Sequence, residues 1–463
     1  MLLKDLTIKE IARQLRNGDV TATSLVESCQ IAYEQTESKL NAYKTWSGDN
    51  AKHVASSIDS LISAGYDFGP LMGIPVSVKD LFAVPKMPTF AGSKRDLGPR
   101  WQVPGTLINS LTKQGATIIG KTHTVEFAFG GVGINEHWGT PRNPWDSKEH
   151  RIPGGSSSGA GVSLCQGTAL LALGTDTAGS VRIPASFTGT VGLKTTIGLW
   201  PRDQVVPLSK TLDTPGLLAR SVEDVAFAFD AIENSLRGNS KKVNKLHSLG
   251  GLRVGVPEHF FWDDIESDIA DVVHQAMRSL EADGAILVPI KIPNCAEVYK
   301  VFQMGGLGAP ELSSFLKMEL PEAIDHLGSL VKVRIEGSEI LSSLEYLSRK
   351  SLIERSAASA KLVFESVDIW LHPTLVNTAA IVDEVVDIEA YRKVNMLVLR
   401  NTSIANLMDL CALSLPVGLD VHGIPIGLQL TAGALQERKL LAIALRVEEI
   451  IGKAKEILGN LPK

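Results

Sequence analysis

The feature that most restricts the possible folds is a stretch of 42 residues, 152–193, that is almost free of charge. Asp176 and Arg182 are its only charged residues, whereas the chain as a whole is 21% charged and about nine would be expected. The stretch also holds nine glycines and many serines and threonines. A solvated linker can have that composition, but the run VSLCQGTALLALG inside the stretch is too apolar to stay in water. We therefore predict a buried segment whose glycines let backbones approach closely or let amides point at a ligand.

Short apolar runs alternate with helical patterns along most of the chain. Candidate strands lie at 74–78, 116–120, 169–174, 251–257, 285–293, 367–374 and within 411–433. Apolar residues at helical spacing predict two N-terminal helices and a last helix at about 435–452, and 296–366 is mostly helical. This alternation predicts an α/β fold, with a central β-sheet covered by helices on both faces.

Charge, apolar runs and cysteine spacing exclude several classes of protein. The net charge of −5 does not indicate the excess of positive charge that binding to nucleic acid requires. No apolar run reaches the roughly 18 residues of a membrane span, and the first residues lack the pattern of a secretory signal. Four widely separated cysteines (Cys29, Cys165, Cys295 and Cys411) form neither a zinc-ligand spacing nor a dense disulfide framework. We therefore expect a globular protein of the cytoplasm.

A phosphate-binding motif is matched by residues 115–122, which fit G-x-x-x-x-G-K-[ST] in full. A true phosphate loop follows a strand and opens a helix. Here the residues before Gly115 have a helical pattern and those after it read as a strand. A helix–turn–strand junction is therefore favoured over a nucleotide site.

A second generic motif, G-x-S-x-G, is matched by residues 155–159. In α/β-hydrolases this turn follows a buried strand, and an acid and a histidine later in the chain complete the catalytic triad with its serine. Residues 149–153 contain charge and a proline, and His259, His372 and His422 have no convincing acidic partner. A nucleophilic serine without a histidine is favoured.

A serine can instead be activated by a neutral lysine, provided that burial lowers the lysine pKa from about 10.4 towards the working pH. Lys79 is the candidate, because it ends the apolar run 72–78 and its ammonium would start inside the core. The alternative is a structural ion pair between Lys79 and Asp80, since a buried lysine is rare without a partner.

Several motifs in order resemble the amidase signature family. Residues 154–160 and 174–184 resemble its serine-rich motifs, and 73–80 resemble its lysine motif. Further matching segments are 120–127, 139–144, 187–194 and 415–430. The resemblance implies a mixed parallel and antiparallel sheet. It also implies a single domain over 1–463, with N-terminal helices (1–70), a catalytic core (71–235), a variable helical pocket region (296–366) and a C-terminal return of sheet and helix (367–463).

Carried over to this sequence, the family implies a Ser-Ser-Lys triad. Ser180 would be the nucleophile, Ser156 the bridging serine after a cis peptide bond, and Lys79 the terminal base. The reaction would be acyl transfer to Ser180 followed by hydrolysis of the acyl-enzyme.

Around this triad, backbone N–H groups of Thr177, Ala178 and Gly179 would stabilise the oxyanion. Thr175 and Asp176 would hold the serines in place, and an ion pair between Arg182 and Asp176 would belong to the scaffold. Ala178 stands where the family usually has glycine, so a positive φ there would cost about 1 kcal/mol.

The implied function is an amidohydrolase that cleaves C–N amide bonds, with esters, anilides and carbamates also compatible. No metal, organic cofactor, nucleic acid or membrane partner is implied, and a homodimer is compatible with the family. Phe302, Met304, Phe315 and Met318 are candidates for the substrate pocket, with helical core as the alternative, and an apolar lining would favour apolar substrates.

Two other functions stay open. One is the glutamine-hydrolysing subunit of a transfer-RNA amidotransferase, although that subunit usually has Gln where this chain has Ile183. The other is a non-catalytic binding protein on the same scaffold, which would require a broken triad.

Overall fold

The computed structural model describes residues 6–238, 241–338 and 340–462. The first five residues, which entered the argument about a secretory signal, lie outside this part. The helices are α1 (Ile8–Asn17), α2 (Ala22–Leu40), α3 (Gly48–Ser63), α4 (Thr106–Lys113), α5 (Ser158–Gln166), α6 (Arg182–Thr188), α7 (Val222–Arg237), α8 (Ser267–Ala282), α9 (Cys295–Gln303), α10 (Gly308–Glu319), α11 (Pro321–Ile324), α12 (Ser329–Glu336), α13 (Ser343–Val363), α14 (Ile388–Leu407), α15 (Glu437–Ile451) and α16 (Ala454–Leu458). Short 3₁₀ turns lie at Pro99–Gln102, Glu126–Ala128 and Val382–Val385.

The strands are β1 (Tyr43–Trp46), β2 (Pro75–Lys79), β3 (Thr117–Thr122), β4 (Leu171–Asp176), β5 (Val191–Lys194), β6 (Thr214–Ala219), β7 (Arg253–Pro257), β8 (Ile286–Ile290), β9 (Ile369–Pro373), β10 (Cys411–Leu419) and β11 (Pro425–Ala432). They form one sheet in the order β1-β3-β2-β4-β6-β5-β10-β11-β9-β7-β8. β2 pairs in parallel with β3 and β4, and β7 pairs in parallel with β8 and β9, while the other neighbours are antiparallel. The mixed α/β sheet expected from the sequence is confirmed.

Both faces of the central strands are covered. Every residue of β2, β3, β4 and β6 is buried, on both sides of the pleat. Because successive side chains of a strand point to opposite faces, this burial requires packed elements above and below the sheet. No helix in the described part of the chain is long and apolar enough to cross a bilayer.

All predicted strands are present, but three further strands lack a clear sequence signal. β1 and β5 have only four residues each, which is too short for an alternating pattern to stand out. The helix–turn–strand order around Gly115 is confirmed, since α4 precedes the turn and β3 follows it.

Candidate active site

Lys79 is the last residue of β2, and its side chain is fully buried. Its Nζ donates hydrogen bonds to Ser156 Oγ at 2.8 Å and to Thr175 Oγ1 at 2.9 Å. Thr175 lies near the end of β4, and the parallel pairing of β2 with β4 brings their carboxyl ends to the same edge of the sheet. The alternative pairing of Lys79 with Asp80 is wrong, because the Asp80 carboxylate lies 2.7 Å from Lys121 Nζ.

Burial changes the acidity of Lys79. Removal of its ammonium from water lowers the lysine pKa to about 7, although the negative charges of Asp213 and Asp176 act in the opposite direction. At neutral pH a large fraction of Lys79 is therefore an unprotonated amine, which is the form that can accept a proton.

Ser156 lies in a turn that close backbone contacts hold in place. The Gly155–Ser156 peptide bond is cis. The Gly155 N–H donates to the Gly131 carbonyl at 2.7 Å, and the Ser156 carbonyl accepts from the Val125 N–H at 3.1 Å. Ser156 is fully buried, so its hydroxyl faces Lys79 away from solvent.

Ser180 lies in the turn between β4 and α6, and it is almost fully buried. Its carbonyl accepts a hydrogen bond from the Ser157 N–H at 3.2 Å, which ties its turn to the residue that follows Ser156. The preceding Gly179 has a φ of +130°, and a Cβ there would lie 2.1 Å from Thr402 Oγ1. This position therefore requires glycine, both for its backbone conformation and for the close approach of α14.

The neighbouring Ala178 carries no backbone penalty, because its φ is not positive. Its carbonyl accepts from Thr402 Oγ1 at 2.7 Å. The expected cost of alanine at this position is therefore absent.

The Asp176 carboxylate organises the whole turn. It accepts from the Gly179 N–H at 2.7 Å and the Val181 N–H at 3.1 Å. It also binds Arg182 in a bidentate pair with N–O distances of 3.0 and 3.1 Å, and Asn406 Nδ2 donates to it at 2.9 Å. Burial alone would raise the Asp176 pKa, but the charge and hydrogen bonds of Arg182 hold it at about 2. The predicted Arg182–Asp176 ion pair is confirmed.

The Gly179 N–H is thus already engaged by Asp176. This N–H is one of the three amides expected to face an oxyanion, but it stabilises the turn instead. Within the described chain, the N–H groups of Thr177 and Ala178 have no hydrogen-bond acceptor.

A histidine-dependent hydrolase site is excluded by the contacts of the central serine of the G-x-S-x-G match. Ser157 Oγ donates to the Thr175 carbonyl at 3.3 Å. Burial lowers the pKa of His372 to about 3, and its ring nitrogens lie near the Pro373 carbonyl and the Gln429 amide. Residues 149–153 also form no strand before the turn.

Asp213 is a site residue that the sequence analysis missed. Its carboxylate accepts from Thr177 Oγ1 at 2.6 Å and from the amides of Leu208 and Ser209 at 3.0 Å. Burial raises its pKa to about 6. The only signal was a lone acid directly before an apolar strand, β6.

A cavity of about 510 Å³ opens among α9, α10, α12, α13 and α14. Phe302 and Met304 line it as predicted. Phe315 is instead buried in a hydrophobic core, and Met318 is 77% exposed outside the cavity. The lining is mixed, because the charged side chains Arg334, Glu345, Arg349 and Arg392 stand beside its apolar side chains.

Comparison with known proteins places these features in a family. The family model described as Amidase matches residues 24–441. The chain is 48% identical to the 2-amino-5-chloromuconic acid deaminase of Comamonas testosteroni, with 98% of each chain covered. It is 31% identical to a subunit of the glutamyl-tRNA(Gln) amidotransferase of Natranaerobius thermophilus, with 100% of this chain and 98% of the relative covered.

Among solved structures, a crystal structure of an amidase superposes with a TM-score of 0.87 at 28% identity, covering 96% of this chain and 100% of that one. The likeness therefore extends over sequence and fold together. The chain belongs to the amidase family and is a hydrolase that acts on carbon–nitrogen bonds.

Proposed function

We propose that this chain cleaves the C–N bond of a small amide-type substrate, with Ser180 as nucleophile, Ser156 as bridging serine and Lys79 as base. The observation that supports this most strongly is the 2.8 Å contact between Lys79 Nζ and Ser156 Oγ inside a fully buried site. A base works best when its pKa lies near the working pH, and burial lowers that of Lys79 to about 7.

The proposed cycle needs no histidine. Neutral Lys79 accepts the Ser156 proton while Ser156 accepts the Ser180 proton, and Ser180 Oγ attacks the carbonyl carbon. The proton then returns along the same path to the leaving nitrogen, which departs as ammonia or an amine. Water hydrolyses the acyl-enzyme by the reverse transfer and regenerates Ser180.

We assign the oxyanion donors to the N–H groups of Thr177 and Ala178. Preorganised donors of this kind are worth about 3–4 kcal/mol each in other hydrolases. Asp176 holds the turn through the Gly179 amide, and Thr175 orients Lys79 through their 2.9 Å hydrogen bond.

The likeness to a deaminase at 48% identity favours a substrate that releases ammonia. Relatives named as amidotransferase subunits are more distant, at 31% identity for the Natranaerobius protein. The location in the cytoplasm and a homodimer stay predictions.

The test is labelling with a serine-reactive fluorophosphonate, followed by peptide mapping and assays of ammonia release from a panel of primary amides. We expect label on Ser180, and a loss of about 10⁴-fold or more in kcat/KM for Ser180→Ala with the fold retained. Ser158→Ala is the matched control, because its buried Oγ makes no hydrogen bond and its loss costs little. Unchanged turnover in Ser180→Ala, or label on another serine, would overturn the assignment.

A further inference from the structure

No triad residue lines the cavity, but hydrogen bonds join its wall to the turn of Ser156. Its wall includes Tyr391 and Asn395 of α14. Asn395 Oδ1 accepts a hydrogen bond from the Gly131 N–H at 2.8 Å, and the Gly131 carbonyl accepts from the Gly155 N–H at 2.7 Å. One glycine therefore connects the cavity wall to the peptide bond that precedes Ser156.

The same helix reaches the nucleophile turn. Asn395 lines the cavity, and Thr402, seven residues later on α14, donates to the Ala178 carbonyl at 2.7 Å. Seven residues of α-helix correspond to an axial rise of about 10 Å. This separation along α14 is comparable to the length of a substrate several bonds long.

Arg334 is the distinctive group of this cavity. Its Nη1 donates to the Phe129 carbonyl at 2.7 Å, and its guanidinium lies 3.6 Å from the centre of the Phe129 ring. Across the described residues, no carboxylate lies within ion-pair distance of Arg334. Burial lowers the pKa of this guanidinium, Tyr391 raises it through a side-chain hydrogen bond and its charge, and the nearby charge of Arg392 lowers it.

The charged side chains among the described lining residues give an excess of positive charge. Glu345 is neutralised by Arg349, whose Nε donates to it at 2.9 Å. Among the described lining residues, Arg334 and Arg392 then remain without a compensating acid. A partly buried cation of this kind is costly unless an anion pairs with it.

We infer that Arg334, assisted by Arg392, binds a carboxylate group of the substrate at the end remote from the scissile C–N bond. This inference rests on the proposed function of the triad and specifies its substrate class as amides or amines that bear a carboxylate. Arginine suits this role because its planar fork binds both carboxylate oxygens at once.

The experiment compares substrates that differ only in charge. The matched pairs are malonamate with malonamide, succinamate with succinamide, glutaramate with glutaramide and adipamate with adipamide, and ammonia release is measured for each. Each diamide has two equivalent amide groups, so its kcat/KM is divided by two before the comparison. We expect kcat/KM for at least one amide acid to exceed this corrected value by about tenfold or more. The chain length with the largest ratio measures the distance from Ser180 to Arg334.

Variants assign that preference to particular residues. Arg334→Gln should lower the amide-acid to diamide ratio by about tenfold or more, and Arg392→Gln, at an exposed position, should lower it less. Arg355→Gln is the control, because it removes the same charge from an exposed position of α13 outside the cavity. Circular dichroism and melting temperature report whether Arg334→Gln has folded, and Arg392→Gln keeps the test decisive if it has not.

Binding to Ser180→Ala, measured by calorimetry with glutaramate and glutaramide, separates this inference from the proposed function. Tighter binding of glutaramate that depends on Arg334 supports the carboxylate site even if no amide is turned over, in which case the proposed function alone fails. Equal kcat/KM and equal affinity for acid and diamide in the wild type would overturn the carboxylate site and leave the triad proposal intact.

Discussion

Lys79 should destabilise the folded protein at neutral pH, so Lys79→Met should make the chain inactive and more stable. Its pKa falls from the ordinary 10.5 to about 7 because folding removes the amine from water. Each pKa unit corresponds to about 1.36 kcal/mol, so the unfavourable contribution is about 5 kcal/mol at pH 7 and below. The lost hydrogen bonds to Ser156 and Thr175 offset about 1–3 kcal/mol of the gain. We expect a net stabilisation of about 2–4 kcal/mol at pH 7.

The sign of the pH dependence follows from the direction of the shift. Between pH 7 and about 10.4, the unfolded chain binds a proton at Lys79 that the folded chain does not. The stability of the wild type therefore rises with pH across this window, by about 1.4 kcal/mol per pH unit from this group alone. Lys79→Met lacks this contribution, so its advantage is largest near pH 7 and disappears towards pH 10.

Urea denaturation of the wild type and the variant from pH 7.5 to 9.5 measures this difference. Lys361→Met is the control, since its ammonium is exposed on α13 and remains in water when the chain folds. Parallel stability curves for wild type and Lys79→Met would refute the argument that burial lowers the pKa of this lysine.

Two further changes test the surroundings of the triad. Gly179→Ala should lower kcat/KM by about 100-fold or more, because its Cβ would lie 2.1 Å from Thr402 Oγ1 and displace the nucleophile turn. Gly167→Ala is the control, because Gly167 has a φ of +79° and open space around its Cβ. It should lower the free energy of unfolding in urea by only about 1 kcal/mol. Equal losses of kcat/KM in the two variants would contradict this account. Asp213→Asn should move the acid limb of the kcat/KM profile about 1 unit to lower pH, because the Asp213 charge raises the Lys79 pKa. An acid limb that stays in place would show that this charge does not act on the base.

The sequence predicted the burial of Lys79 better than it predicted the distant residues that hold the neighbouring turns. Lys79 could be found because it ends an apolar run, and burial follows directly from that position. Asn406 could not be found in this way, since it contacts Asp176 from 230 positions further along the chain. Such contacts depend on which strands become neighbours, and β5 and β10 pair only after a long loop has closed.

The lining of the cavity among α9, α10, α12, α13 and α14 also could not be predicted from the sequence. Helical periodicity separates buried from exposed faces, so it could not distinguish Phe302, which lines the cavity, from Phe315, which lies in a core. Arg334 occupies an ordinary helical position in the sequence. Only the folded chain brings it over Phe129 and beside α14. The single-domain division stays a prediction.

The five helices α9–α13 lie between β8 and β9 and contribute no strand to the sheet. The entropy cost of closing a connection between two strands rises only slowly with the length of that connection. This stretch can therefore diverge, or be exchanged between relatives, without breaking any hydrogen bond of the sheet. Selection for a new substrate can act on these helices while the residues at the ends of β2 and β4 are inherited unchanged.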